Sequence, residues 1–325
     1  MLICQKYLSV RIFRPTNFSW RCIMRLATST CIFPSRRQGG GTPLVQSIAM
    51  CRECGFEVID LNFCFAANKN NGSLFCSDNW QRYVDELGEA GAKYGVEFSQ
   101  SHAPYDSNLR RADRKMTDEE RDWYYEAVRR SIDASGQLGV KWVVTHAQTD
   151  VLDDELGYDQ NLKTNIEFYS KLLEWAKQYG TGIAVENMAE FNPAKTKHRY
   201  TATVEEQIAI IDSINDPDLQ GAWDFGHAQL VYRDQVAPLR KLGHRLRATH
   251  VQECDGKFDD HYLPFIRGTT PWEQIMPLLK EINYPGDFTY EVHGFFGCIP
   301  DELRLSAGKF AFEVGQYLMS LYEKA

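Results

Sequence analysis

The chain has 325 residues, of which 43% are hydrophobic and 13% aromatic, enough to bury a full core. No run approaches the ~18 apolar residues that cross a bilayer, which argues against a membrane protein. Lys6, Arg11, Arg14 and Arg21 all precede the first acidic residue, Glu53; from Met24 onward 32 basic residues face 44 acidic ones, a formal −12. An acidic body argues against nucleic acid as partner.

Residues 1–23, basic and free of acid, read as a disordered extension or as a start placed too early, with Met24 the true first residue; a transit peptide is the weaker reading. From Met24 the text alternates short apolar runs with amphipathic ones. A first strand spans 25–33. The helix after it carries Cys51-x-x-Cys54 and stops at Gly55; with no second cysteine pair at zinc-finger spacing, these are read as reduced thiols used as small hydrophobes in a cytoplasmic protein. A second strand, 56–63, ends near Asp60, whose role is open. Strands at 96–102 and 140–146 follow, with a helix between them that opens on the capping box Thr117…Glu120.

Leu162, Ile166, Tyr169, Leu173 and Ala176 set a helical period before the fifth strand, 182–187. The capping box Thr203…Glu206 opens the helix before strand six, 219–225. Strand seven is 246–252. Thr270…Glu273, with Pro271 at the first helical position, predicts another capping box before strand eight, 287–292. A last helix shows the stripe Leu303, Ala307, Phe310, Val314 and Leu318. Eight strand–helix units predict an α/β protein, one (β/α)8 barrel over 24–325. The competing open sheet wants a glycine-rich first turn, and the only glycine run, 39–41, lacks that spacing.

The strand ends are polar. Strand three closes on His102, strand four on His146, strand five on Glu186 and strand six on Asp224, with His227 three residues later. Strand seven holds His250 and strand eight Glu291. In a barrel these ends share one face, where such folds place their active sites. Buried carboxylates and imidazoles gathered without a cation cost several kcal/mol each, on the order of an unpaired buried ion. A divalent cation removes that cost, and the oxygen–nitrogen donor set suits zinc, manganese or iron(II). Asp259 and His261, in "DGKFDDHYLPFIRGTT", form a D-x-H pair that either points back over the same face or belongs to a solvated loop.

With "AVEN", "WDFGH", "THVQE", "DDHYLP" and "YPGDFTYEV", the chain resembles the xylose-isomerase-like barrel superfamily over about residues 25–320. That group includes sugar isomerases, ketose 3-epimerases, dehydratases and zinc-dependent apurinic endonucleases. The resemblance implies one divalent metal, Mn2+ or Zn2+ ahead of Mg2+ or Co2+, on Glu186, Asp224, His250 and Glu291. It also implies that His227 contacts substrate. His102, His146, His227, Asp259 and His261 are candidates either for substrate contact or for the additional zinc ions of the endonuclease branch. Arg267 stands where relatives carry a glycine-rich turn; it meets an anionic substrate group or is a surface arginine.

The expected function is a metal-dependent sugar isomerase or epimerase, acting on a free or phosphorylated keto-sugar. Glu186 and Glu291 would move a proton through an enediolate that the metal stabilises. Loss of hydroxide instead gives a sugar dehydratase; an endonuclease-type phosphodiesterase is the other alternative. A retaining glycosidase would use the same two glutamates without metal, and the surrounding histidines argue against it. A non-catalytic sugar-binding barrel stays open, whereas a Schiff-base aldolase is disfavoured because no strand ends on lysine. Substrate choice would rest on loops near 64–77, 104–116 and 188–200. Homo-oligomers are common in the family.

Overall fold

The computed structural model describes residues 24–35, 40–105, 116–152, 154–189, 198–232 and 234–325. The expectation for residues 1–23, and most of the loops at 104–116 and 188–200, lie outside the described residues. Eight strands form the main sheet, beside a short antiparallel pair of Pro34–Ser35 with Gly40–Gly41: β1 Leu26–Ser29, β2 Val58–Asn62, β3 Glu97–His102, β4 Trp142–Thr145, β5 Gly182–Glu186, β6 Leu219–Asp224, β7 Leu246–His250 and β8 Phe288–Tyr290. Each pairs in parallel with the next, and β8 returns to pair with β1. Between β7 and β8 a parallel bridge, Val251 to Tyr290, closes the ring, with the Val251 N–H donating to the Thr289 carbonyl at 2.7 Å. The molecule is a single (β/α)8 barrel.

The helices that cover it are α1 Leu44–Cys54, α2 Trp80–Tyr94, α3 Asp118–Gln137, α4 Asp154–Tyr179, α5 Val204–Ile214, α6 Phe225–Val231, α7 Val236–Leu242, α8 Trp272–Glu281, α9 His293–Gly297 and α10 Arg304–Lys324. Both capping boxes expected at α3 and α5 are present, each with the threonine hydroxyl accepting from the glutamate N–H and the carboxylate accepting from the threonine N–H. Each satisfies two backbone donors that have no partner within the helix.

Alternation along the strands sorts the core. Val143, Ile183 and Trp223 point outward into the main core beneath the helices, while Val144, Ala184, Ala222 and Ala248 form a separate small core inside the ring. Complete burial of a side chain such as Phe288 stabilises the fold by about 1.5–3 kcal/mol.

Three expectations need correction. The capping box at Thr270 does not form: α8 has no side-chain cap, and the Thr270 hydroxyl donates instead to the buried carboxylate of Glu253, which also takes the Trp272 Nε1–H at 2.9 Å. A buried carboxylate needs several donors, and it outcompetes the helix end. The stripe on α10 is also displaced. Leu303 lies in the turn before α10 and is 55% exposed, and Phe310 is 49% exposed; the buried face runs Arg304, Gly308, Ala311, Gly315, Leu318 and Tyr322. Close contact with its neighbours is made through glycine: a Cβ at Gly308 would lie 2.3 Å from Cys54 Sγ of α1, and one at Gly315 2.4 Å from Leu26 of β1. A reading based on apolar side chains passes over residues whose value is having none. Finally, the strands are shorter than expected, so Glu291 and His146 each fall one residue past their strand. Cys51 and Cys54 are buried free thiols, as expected.

Candidate active site

The site residues rise from the small core. Two residues beyond Val144, Ala184, Ala222 and Ala248 stand His146, just past the end of β4, and Glu186, Asp224 and His250, the last residues of β5, β6 and β7. A period of two keeps each on the inward side of the ring, at the C-terminal end of the strands. Glu186, Asp224, His250 and Glu291 each offer a ligand atom, and these atoms all lie within 4.8 Å of one another. His102, His146 and Glu186 form a second such group, and His227, Asp259 and His261 a third.

Asp224 ends β6 and caps α6. Its Oδ1 accepts the His227 N–H at 2.7 Å, while its Oδ2 is buried with no hydrogen-bond partner. The cap turns the chain so that His227 returns over the site. Its Nδ1 donates to the Asn187 carbonyl at 2.9 Å, and its Nε2 faces Asp259 Oδ2 at 3.4 Å. His102 and His261 repeat this arrangement: Nδ1 donates to the carbonyls of Ala103 (2.7 Å) and Glu291 (2.9 Å). Their Nε2 atoms face Glu186 Oε2 at 3.4 Å and Asp259 Oδ1 at 3.2 Å. A carbonyl oxygen only accepts, so in all three rings the hydrogen sits on Nδ1 and Nε2 is left for a ligand.

His250 is held the other way round. Nδ1 lies 2.7 Å from Glu186 Oε1 and 3.7 Å from Glu291 Oε2, and Nε2 faces Asp60 Oδ2 at 3.3 Å. Asp60, mid-strand on β2 and fully buried, also accepts from Gln100 Nε2 at 2.7 Å. It is the acceptor that fixes the His250 ring, a role invisible in the sequence because Asp60 and His250 are 190 residues apart.

The electrostatics follow from crowding in a dry place. Burial alone would raise Glu186, but His250, His146 and His102 outweigh it and hold the carboxyl well below the usual range. Burial pulls His227 and His250 down; against it, Asp224 and Asp259 for the first, and Glu291 and Glu186 for the second, prevail and raise both well above an ordinary imidazole. His261 is likewise raised to about 9 by Asp259 against the pull of burial. His146 shows the reverse, burial taking it down to about 4 despite Glu186. Burial pushes Asp224 up to about 6 even beside His227. Without a cation the carboxylates are balanced by protons on the imidazoles.

Two more residues position this face. Gln252 Nε2 donates to Asp224 Oδ1 at 3.1 Å and Asp259 Oδ1 at 2.8 Å, and its Oε1 accepts the His261 N–H at 3.2 Å. That amide packs where a Cβ on Gly226 would be, 2.0 Å away, so the glycine of "DFGH" is required by close approach. Glu253 ties down the loop carrying Asp259 and His261 through Thr270 and Trp272. Their place in "THVQE" gave the only signal. Arg267 is not brought into the cluster: it is exposed and donates to Tyr262 Oη at 3.1 Å, with its guanidinium over that ring.

The family model of the xylose isomerase-like TIM barrel matches residues 48–305. An uncharacterized protein of Methanocaldococcus jannaschii is 27% identical over 231 residues, 68% of this chain and 71% of that protein. Among solved structures, a D-tagatose 3-epimerase-like protein superposes with a TM-score of 0.69 at 22% identity, covering 93% of this chain and 99% of its own. The 3-keto-D-glucoside 4-epimerase of E. coli gives 0.66 at 16% identity, covering 90% and 99%. The IOLI protein with a zinc atom gives 0.63 at 15%, covering 93% and 99%. Likeness at these identities is likeness of fold.

Proposed function

Because the chain belongs to the xylose isomerase-like TIM barrel family, we propose that it is a metal-dependent sugar isomerase or epimerase, with Glu186 and Glu291 as its proton-transfer pair. The observation that carries this reading is the quartet of Glu186, Asp224, His250 and Glu291, with both glutamates reaching toward the same His250 nitrogen. The donor set fits a divalent cation: Asp224 Oδ2 is an orphaned buried oxygen, and the flanking imidazoles present Nε2 to carboxylates. Carboxylate with imidazole suits Mn2+ or Zn2+. When bound there, such an ion supplies Lewis-acid polarisation of a substrate carbonyl.

The protein's own groups do the rest. One glutamate takes the proton from the carbon beside the carbonyl, and the same group or the one opposite returns it. Return to the other face of that carbon inverts it, return to the neighbouring carbon isomerises the sugar, and departure of hydroxide dehydrates it. His227, held by Asn187, faces Asp259 through Nε2 and is the group we assign to a substrate hydroxyl. Asp60 fixes the His250 ring so that Nδ1, not Nε2, faces the glutamates. The epimerases among the similar structures support this choice of chemistry, and the seven described free cysteines agree with a reducing, cytoplasmic setting.

A second reading rests on the two flanking groups, His102–His146–Glu186 and His227–Asp259–His261. Three bound ions would favour phosphodiester hydrolysis in the endonuclease manner. One experiment separates the two. The protein, loaded with Mn2+ or Zn2+ and analysed for bound metal, is incubated in heavy water with a panel of ketoses and, in parallel, with duplex DNA carrying an abasic site. Deuterium uptake into a ketose, lowered at least about 100-fold by Glu186→Gln and by Glu291→Gln with the fold intact, is expected. Strand cleavage at three ions per chain without exchange would replace this reading with the second, and exchange unchanged in both variants would retire the mechanism.

A further inference from the structure

Glu291 has two oxygens that face different neighbourhoods. Oε2 faces inward, 3.7 Å from His250 Nδ1 and 3.7 Å from His261 Nδ1. Oε1 faces the outer side of the mouth, 3.8 Å from the Sγ of Cys31 and 3.4 Å from Asn62 Nδ2. The same Cys31 sulfur lies 3.9 Å from His293 Nδ1, and Cys31, Glu291 and His293 offer ligand atoms that are all within 4.8 Å of one another. Three elements converge to make this: the turn after β1, the residue after β8 and the first residue of α9.

The pieces are held. Ser29 Oγ accepts the Cys31 N–H at 3.3 Å and so orients the turn. The His293 ring packs on that of His261, centroids 3.9 Å apart. Gly294, next in α9, admits the backbone of the D-x-H loop, since a Cβ there would meet the Asp260 carbonyl at 1.8 Å. Cys31 and His293 are half-buried. A tetrahedral zinc with sulfur at about 2.3 Å and nitrogen at about 2.0–2.1 Å sets those two donors roughly 3.5 Å apart, a few tenths of an ångström closer than they stand here.

We infer that Cys31, His293 and Glu291 Oε1 form a separate outer site for a thiophilic divalent cation of the zinc class, joined to the inner quartet through the two oxygens of Glu291. Thiolate with imidazole selects zinc or cobalt over magnesium or manganese, so this site and the inner one differ in preference. Binding forms metal–sulfur, metal–nitrogen and metal–oxygen bonds and releases the thiol proton to solvent; no redox change occurs. A fourth tetrahedral position remains for water. The inference does not depend on the sugar chemistry, because it is read from metal spectra and not from turnover.

The test is a titration of the chelator-treated, phosphine-reduced full chain with Co2+, followed by absorption. A near-ultraviolet thiolate-to-cobalt band is expected in the wild type, absent in Cys31→Ser and retained in Cys64→Ser, the latter altering the other thiol at the mouth, 3.6 Å from His102 Nδ1. His293→Gln should weaken cobalt uptake at this site by at least about tenfold. No band in the wild type, or a band that survives Cys31→Ser, overturns the site. Should Cys31→Ser fail to fold, alkylation of wild-type Cys31 read by peptide mass decides: Zn2+ should slow it at least tenfold, and equal rates with and without zinc refute the proposal.

Discussion

Two successive levels inside the barrel, one step apart on the same strands, have opposite chemistry. The lower is Val144, Ala184, Ala222 and Ala248, small and dry. Above it stand His146, Glu186, Asp224 and His250. Strand geometry treats the two levels alike, because residues two apart share a face. What differs is the neighbourhood: the lower level is walled by the strands alone, whereas the upper one meets segments beyond the strands that bring in Asp259, His261 and Glu291. The small side chains below form a dry floor under a group of charges that only a cation or protons can balance. Stability and function are thus stacked along one set of strands.

The contrast can be broken from either level. Asp224 serves both, capping α6 through Oδ1 and leaving Oδ2 to the site. Asp224→Asn, which keeps the cap acceptor, should lower Mn2+ or Zn2+ affinity at least about 100-fold by isothermal titration, as expected on losing a charged ligand. Asp224→Ala should lose the affinity and a further ~1 kcal/mol of stability through the cap. Equal affinity in Asp224→Asn and the wild type would remove Asp224 from the ligand set. At the lower level, Ala222→Leu overfills the small core and should cost about 1–3 kcal/mol in denaturant unfolding; a neutral result would mean that the floor is not packed.

The last effect expected is on pH, about 1.4 kcal/mol for each unit by which a group's value moves on folding. The folded-state value of His261 is raised to about 9, so its contribution is complete below about 6.5 and is lost as pH climbs to 9. His227 and His250, also raised, act in the same direction. The melting temperature of chelated protein should therefore fall between pH 6.5 and 9. Protein loaded with Zn2+ should not show that fall, since the ion replaces the protons. A flat profile for the chelated protein would contradict the charge balance described here.

Much of this was legible in the text of the chain. Eight apolar runs became eight strands, and Thr117…Glu120 and Thr203…Glu206 became caps, because both signals are local and survive any packing. The polar strand ends were readable for the same reason: a carboxylate closing "AVE" or "AWD" has no local partner to explain it. Where the sequence misled, a distant group intervened. Thr270 went to Glu253, and α10 turned its glycines to the barrel in place of its large side chains. For Arg267 the surface reading is the one the structure matches: it is exposed and donates to Tyr262, five residues away.

The order of elements, the closure at eight and the donor types at the strand ends are properties of the sequence, since period and chemistry are written residue by residue. Which donors meet was decided only by tertiary structure. His250 finds Asp60 across 190 positions, Gln252 ties Asp224 to Asp259, and Glu291 divides its oxygens between an inner and an outer group. Ring closure sets those meetings, and the distance along the chain carries no record of them.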